Sequence, residues 1–267
     1  MGEDVALTNE EKVRNSIVDF VKNSTANRMY HLDGTPFFEE PLVGFADGRD
    51  PLFGQFKEII GDYHYTPAEV MDTALQAGDN APNQELDAIS VVSYILPVNA
   101  SIRKTNRTQR HHPSLQWAHG RNCGERFNDA VRDHVVMEIR EMGYLAVAPM
   151  RAEYFNYIME DGPDGIVSSN WSERHAAYVA GLGTFSLNDG FITPKGIAMR
   201  CGNIVTNMPL QPSERTFPDH YHNCLYYREG SCKICIERCP VGAITEAGHD
   251  KQKCRWYLMD YLGPMLK

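Results

Sequence analysis

The stretch Cys224-Leu-Tyr-Tyr-Arg-Glu-Gly-Ser-Cys232-Lys-Ile-Cys235-Ile-Glu-Arg-Cys239-Pro240, with Cys254 fifteen residues beyond Cys239, decides how the rest of the chain is read. Its central spacing, Cys-x2-Cys-x3-Cys-Pro, is the back half of a bacterial iron–sulfur cysteine run, in which thiolates on a tight loop hold clusters. The loop has to be short so that several sulfurs converge while backbone N–H groups face the cluster's sulfides. Pro240 then suits the first turn of a new helix, where a missing N–H costs nothing. Zinc is the alternative, although structural zinc sites usually join one Cys-x2-Cys to a second cysteine or histidine pair. The candidate metal ligands are therefore Cys224, Cys232, Cys235, Cys239 and Cys254.

Size and composition frame this reading. At 267 residues and 30.2 kDa the chain suits one large domain or a domain plus a small module. Hydrophobic content of 42% and charged content of 23% are those of an ordinary globular protein. No apolar run approaches the roughly 20 residues that cross a bilayer, so no membrane contact is expected. The N-terminus is acidic, without a hydrophobic signal region, and Ala6 stands where a myristoylation motif requires Ser or Thr. A cytoplasmic location follows. Seven cysteines, five of them crowded near the C-terminus, look like metal ligands in a reducing compartment and not a disulfide framework.

A net charge of −9 argues against a surface that coats nucleic acid. The charge is uneven, however. Residues 102–126 carry Arg103, Lys104, Arg107, Arg110, Arg121 and Arg126 against one acid, Glu125, with three histidines and Trp117 among them. Such a patch suits the phosphate of a cofactor tail or of RNA, or else a solvated loop. His111, His112, His119 and Cys123 lack metal-ligand spacing and read as part of that surface loop.

Along the chain, Thr8 to Glu11 forms a capping box that opens a helix with Val13, Ile17, Phe20 and Val21 on one face. Residues 23–62 read as loop. Thr66-Pro67-Ala68-Glu69 opens a second helix that runs out at Gly78, and 79–83 is a turn. Residues 88–96 form a buried strand, 127–142 a helix ending at Gly143, and 144–149 a second strand. Strand, helical connection, strand is the grammar of an α/β layer fold. Residues 174–182 read as a helix with Ser172 as N-cap and Gly181 or Gly183 as its stop, and a strand lies near 197–205. Between them runs a glycine- and polar-rich loop in which Gly181, Gly183, Ser186, Asn188 and Thr193 are candidate cofactor-binding residues. It is either a ligand cradle or a tight helix-to-strand turn. It is not a dinucleotide fingerprint, because that would need glycine at Ser186. Cys201 reads as a buried strand residue, while Trp171 and Tyr178 face either the core or a ring system above the loop.

Three stretches together carry a resemblance: Val91 to Val98 leading to Ile102-Arg-Lys-Thr-Asn-Arg107; Ser172-Glu-Arg-His-Ala-Ala-Tyr-Val-Ala-Gly-Leu-Gly-Thr-Phe185 leading to Ile192-Thr-Pro-Lys-Gly196; and the cysteine run. The chain resembles the epoxyqueuosine reductase and reductive dehalogenase superfamily, specifically its shorter iron–sulfur members. The resemblance implies a nitroreductase-like, cobalamin-binding-type α/β domain over 1–215 and a small ferredoxin-like 4Fe-4S module over 216–267. It implies one or two 4Fe-4S clusters feeding electrons to a corrinoid, and an external donor such as a ferredoxin or flavodoxin. The substrate is then a small molecule or tRNA. A ferredoxin-like carrier without substrate chemistry is the alternative function, and an RNA-binding modification enzyme using the basic patch is a third.

Carried over by position, Cys232 and Cys235 match two of the three leading ligands and Cys239 the Cys-Pro ligand, while Glu229 stands where the first cysteine belongs. Cys224, displaced by five residues, is its substitute, and Cys254 matches a second ligand of the Cys239 cluster. Three candidates thus serve one cluster and two the other, which implies either a single cluster or a chain that continues past Lys267; the ligand count favours continuation. The family's acidic proton donor would fall six residues before Glu173, at Val167, and Asp161 and Asp164 are out of register. No catalytic residue is assigned. Asp62-Tyr-His64-Tyr-Thr-Pro67 approximates the Asp-x-His-x-x-Gly of His-on corrinoid binders, but proline replaces glycine and the match is coincidental.

Overall fold

The two capping boxes and the apolar run at 88–96 reappear as the frame of a computed structural model, which describes residues 6–79, 85–160 and 167–266. The turn expected at 79–83 falls largely outside the described residues, as do Asp161 and Asp164.

In chain order, α1 (Asn9–Asn23), β1 (Leu42–Asp47), α2 (Pro51–Ile59) and α3 (Pro67–Gln76) precede β2 (Ser90–Pro97). Next come α4 (Ala100–Arg107), α5 (Leu115–Glu141), β3 (Ala146–Val147), β4 (Tyr157–Met159), β5 (Val167–Ser169) and α6 (Glu173–Val179). The short strands β6 (Thr184–Phe185) and β7 (Phe191–Ile192) lead to β8 (Met199–Thr206). After it, α7 (Leu225–Glu229), α8 (Ile234–Arg238), β9 (Ile244–Thr245), β10 (Gly248–His249) and α9 (Lys251–Arg255) carry the cysteines.

Helices cover both faces of a four-stranded sheet of order β1-β2-β8-β3, so the protein is mixed α/β. Every pairing in it is antiparallel. Strands β2 and β3 do run in the same direction, as the strand–helix–strand grammar expects, but β8 lies between them. Side-chain alternation along β2 divides the core. Val92, Tyr94 and Leu96 pack with α1 and α5, whereas Val91 and Ile95 pack with α2, α3 and α6. Burial on both faces explains why this strand reads as an unbroken apolar run.

Three loop expectations are corrected. Residues 23–62 contain β1 and α2. Strand β1 is short and contains Gly44, where a Cβ would stand 2.6 Å from the Ala180 carbonyl oxygen, and α2 is opened only by Asp50 before Pro51. The basic segment 102–126 is not a solvated loop, because α4 and the first three turns of α5 occupy most of it. Helix α5 starts at Leu115, capped by the Ser114 hydroxyl on the Trp117 N–H, well before the expected Phe127. Its first turns are polar because they lie at the edge of the fold, so no apolar stripe marks them. Finally, Pro240 opens a turn and not a helix, since Gly242 at φ +62° redirects the chain immediately into the β9–β10 hairpin.

Helix α6 spans Glu173–Val179, beginning one residue before the expected 174–182 and ending short of it. Gly181 (φ +73°) stops it as anticipated: its N–H reaches the Tyr178 carbonyl, and the Leu182 N–H reaches that of Ala177.

Candidate metal and cofactor site

The cysteine segment is made of elements too short to hold themselves, and the main body fixes them. Arg238 donates to the carbonyls of Arg107 and Gln109, both at 3.1 Å, and Tyr257 bonds the His111 carbonyl. Asn223 donates its backbone N–H to the Thr184 hydroxyl at 2.9 Å and its side-chain amide to the Ile192 carbonyl at 3.0 Å. On the other side, the imidazole of His249 meets the Asp189 carboxylate at 3.2 Å.

Held in this way, Cys224, Cys232, Cys235, Cys239 and Cys254 all line one cavity of about 720 Å³. All five are free thiols, and Cys224 is buried. Ser186 and Asn188 of the glycine loop lie on the same wall. Arg110, His111 and His112 form part of the rim, so one end of the basic segment belongs to this cavity. Among the described residues no three His, Cys, Asp or Glu side chains converge as a group that could hold a metal ion.

The Cys239 thiol has the most specific surroundings. Burial works against its ionisation, but the backbone N–H groups of Val241, Ala243, Ile244 and Gly242 outweigh it and bring its pKa down. The Ala243 N–H stands 3.2 Å from the sulfur. The turn made by Pro240 and Gly242 is thus an anion-binding nest built around one sulfur. Cys235 differs, because burial pushes its thiol up.

The glycine loop owes its small residues to the chain itself. A Cβ on Gly181 would stand 2.5 Å from the Glu214 carbonyl oxygen, and one on Gly183 would stand 2.3 Å from that of Ile192. Ser186 donates to the Gly190 carbonyl at 2.9 Å and to Asn188 at 2.5 Å, and Thr193 donates to the Gly196 carbonyl at 2.9 Å. Sequence reading missed Asp189, which adopts φ +56° between Asn188 and Gly190. Its Asp-Gly turn signal was available, but its partner His249 lies 60 positions away. Hydrogen bonds from Asp189 and then Cys254 push that imidazole up to about 9.

His119 and Cys123 stand one turn apart on α5, which corrects their placement on a loop; His111 and His112 do lie in the loop before it. Cys201 is buried in β8, and burial pushes its thiol up to about 12. Trp171 is a core residue whose indole N–H reaches Asn203 at 3.2 Å, and Tyr178 lies beneath the Arg215 guanidinium. His64 is buried, its Nε2 accepting the Ser172 N–H at 3.1 Å, as befits a structural residue.

A mixed α/β body with a thiol-lined cavity under its C-terminal segment therefore defines the class of protein. No family model matches the chain. The chain is homologous to epoxyqueuosine reductases over part of its length. It is 33% identical over 114 residues to the epoxyqueuosine reductase of Bacillus anthracis, covering 40% of this chain and 28% of the relative. It is 32% identical over 96 residues to that of Staphylococcus aureus, covering 35% and 23%. The matched stretch thus spans only about a quarter of these relatives' length. Among solved structures, an epoxyqueuosine reductase from Bacillus subtilis superposes on 94% of this chain and 58% of its own, with a TM-score of 0.44 and 17% identity. An epoxyqueuosine reductase with an epoxyqueuosine-modified tRNA-Tyr stem loop gives a TM-score of 0.45, with the same identity and coverage.

Proposed function

We propose that this chain is a queuosine-related iron–sulfur reductase. The single observation that supports this most is the gathering of all five cysteines of the 224–254 segment around one cavity. Thiolate donors suit iron–sulfur clusters and zinc alike, and the Cys-Pro spacing with a backbone nest on Cys239 favours the former. Cys224, Cys232 and Cys235 would hold one 4Fe-4S cluster, and Cys239 and Cys254 would contribute to a second. Residues 216–267 would act as a ferredoxin-like module on a nitroreductase-like body of residues 1–215.

Bound clusters would supply single electrons at low potential, and a corrinoid held by the polar side chains of the glycine loop would supply a reducible cobalt. The chain's own part is placement. Arg238, Tyr257 and Asn223 tie the cysteine segment to the body, and Asp189 with His249 closes its other side. Ser186 and Asn188 add polar groups to the mostly apolar wall of the thiol cavity, and Gly181, Gly183 and Thr193 hold the backbone course of their loop. The reaction would be reductive removal of oxygen from a queuosine-type substrate, free or in tRNA, or of halide. Electrons would come from a cytoplasmic ferredoxin or flavodoxin.

The test is anaerobic reconstitution with iron, sulfide and cobalamin, followed by absorption spectra and metal analysis of the wild type, Cys235→Ser and Cys239→Ser. Iron with a charge-transfer band that falls in both variants is expected, together with retained cobalt. Zinc in place of iron in anaerobically prepared protein would overturn the redox reading. Iron without cobalt would leave an electron carrier, a role suited to the exposed Ile234, Trp256 and Met259 beside the cysteines.

A further inference from the structure

The basic segment that the sequence marks out splits between two places. Arg110 joins the thiol cavity, whereas Arg121 and Arg126 lie on another face and meet two arginines from distant elements. Arg121 and Arg126 project from the first turns of α5, Arg174 from α6 and Arg200 from β8, and all four line a separate recess of about 840 Å³. We infer that this recess is a binding site for a small molecule bearing a phosphate or comparable multiply charged oxyanion.

Charge balance carries the inference. Two acids, Glu125 and Glu173, share the wall, and both are already engaged. Glu173 meets Arg132 through paired hydrogen bonds of 2.9 and 2.8 Å, and Glu125 meets Arg132 at 3.0 Å and Arg200 at 3.2 Å. Arg121 and Arg126 are exposed and have no ion-pair partner among the described residues. Arg174 is also exposed, and it spends one N–H on the neutral Asp189 carbonyl. The charges of Arg121 and Arg126 are therefore left without an ion-pair partner at one recess of a chain whose net charge is −9, while Arg200 is paired with Glu125 and Arg174 acts on the Asp189 carboxylate. Like-charged side chains brought together without partners oppose folding, and a bound anion removes that cost. Arg200 feels the crowding: burial and then Arg121 bring its pKa down, against Glu125.

The recess is also held in shape. Arg200 donates to the Arg121 carbonyl at 3.0 Å, joining β8 to α5. The half-exposed Tyr157 gives it an accessible aromatic side, with the buried Trp171 and Phe191 packed behind the wall. Guanidinium forks bind phosphate oxygens in pairs, so several around one recess suit a doubly charged group whose organic part rests against Tyr157. A recess of this volume suits a compact ligand, and the acidic remainder of the chain disfavours a long polyanion. The inference goes beyond the proposed reductase activity and does not require clusters or corrinoid.

Pyrophosphate titration of the full chain by calorimetry at fixed ionic strength tests it, with Arg121→Ala/Arg126→Ala as the site variant and Lys12→Ala as the control. Saturable binding at one site per chain, weakened about tenfold or more in the site variant and unchanged in the control, is expected. Absence of saturable binding, or equal affinity in the site variant, overturns the site. A short RNA that displaces pyrophosphate and loses affinity in the same variant overturns the small-molecule assignment. Because both altered side chains lack ion-pair partners and repel their neighbours, the variant's unfolding midpoint without ligand should be no lower than that of the wild type. Iron content reports the cluster reading independently, so either proposal can fail alone.

Discussion

Arg132 carries its charge into the core with 1% of its side chain exposed, and three carboxylates surround it: Glu125 at 3.0 Å, Asp129 at 2.7 Å and Glu173 at 2.8 Å. Burial opposes the charged guanidinium, but Glu173, Tyr94 and Glu125 outweigh it and hold its pKa above the ordinary arginine value. Burial likewise pushes the Glu173 carboxyl up, although Arg132 pulls it down through paired hydrogen bonds. Removing one partner of such a pair strands the other, so Arg132→Ala should cost about 3–5 kcal/mol in urea unfolding. Arg132→Met with Glu173→Leu should recover most of that loss; a double variant as weak as the single would refute the stranding argument. Gly202 makes a similar point with a single missing atom. A Cβ there would stand 2.0 Å from the ring of Tyr94, which is fully buried in the neighbouring strand.

At the scale of single elements, the clearest determinants are the caps. Thr8 accepts the Glu11 N–H while the Glu11 carboxylate accepts the Thr8 N–H at 2.8 Å, and Thr66 with Glu69 repeats the arrangement at the start of α3. Each satisfies donors that a helix start leaves free. Thr8→Ala and Thr66→Ala should each cost about 1 kcal/mol in denaturant titrations, and the losses should add because the helices are separate. A double variant no weaker than either single would contradict that independence. These helices were legible because their signals are local. Strand β1 was not, since what makes it a strand is pairing with β2 along its whole length, from Leu42 opposite Ile95 to Asp47 opposite Ser90. The polar start of α5 was missed for a related reason, as its residues face a rim and leave no periodic apolar stripe.

For the molecule as a whole, pH sensitivity arises where α2, α3 and α6 meet. Burial, and then the charge of Lys57, brings His64 down to about 4, with a backbone hydrogen bond to Tyr65 and the charge of Glu69 opposing. Burial, and then Arg174, His64 and Lys251, brings His175 down to about 3, with Asp189 opposing. Both imidazoles are therefore neutral in the fold, while the unfolded chain takes up their protons below pH about 6.5. Their contribution to stability is complete above that pH and is lost as pH falls towards 4 and then 3. Each supplies a slope of up to about 1.4 kcal/mol per pH unit in that window. Urea midpoints at constant ionic strength should fall between pH 7 and 5, and less steeply in His64→Gln than in the wild type. A flat profile would show that neither ring has its pKa lowered by folding.

What the sequence by itself determined is whatever rests on contiguous residues: the two capping boxes, the doubly buried strand β2, the Gly181 helix stop and the cysteine spacing. The insertion of β8 between β2 and β3, the turn of N–H groups on Cys239, and the meeting of Asp189 with His249 were decided only in three dimensions. So was the division of the basic segment between two cavities. Local patterns record each residue's nearest neighbours along the chain. Pairing order and the convergence of charges depend on contacts between residues tens of positions apart, where no spacing rule applies.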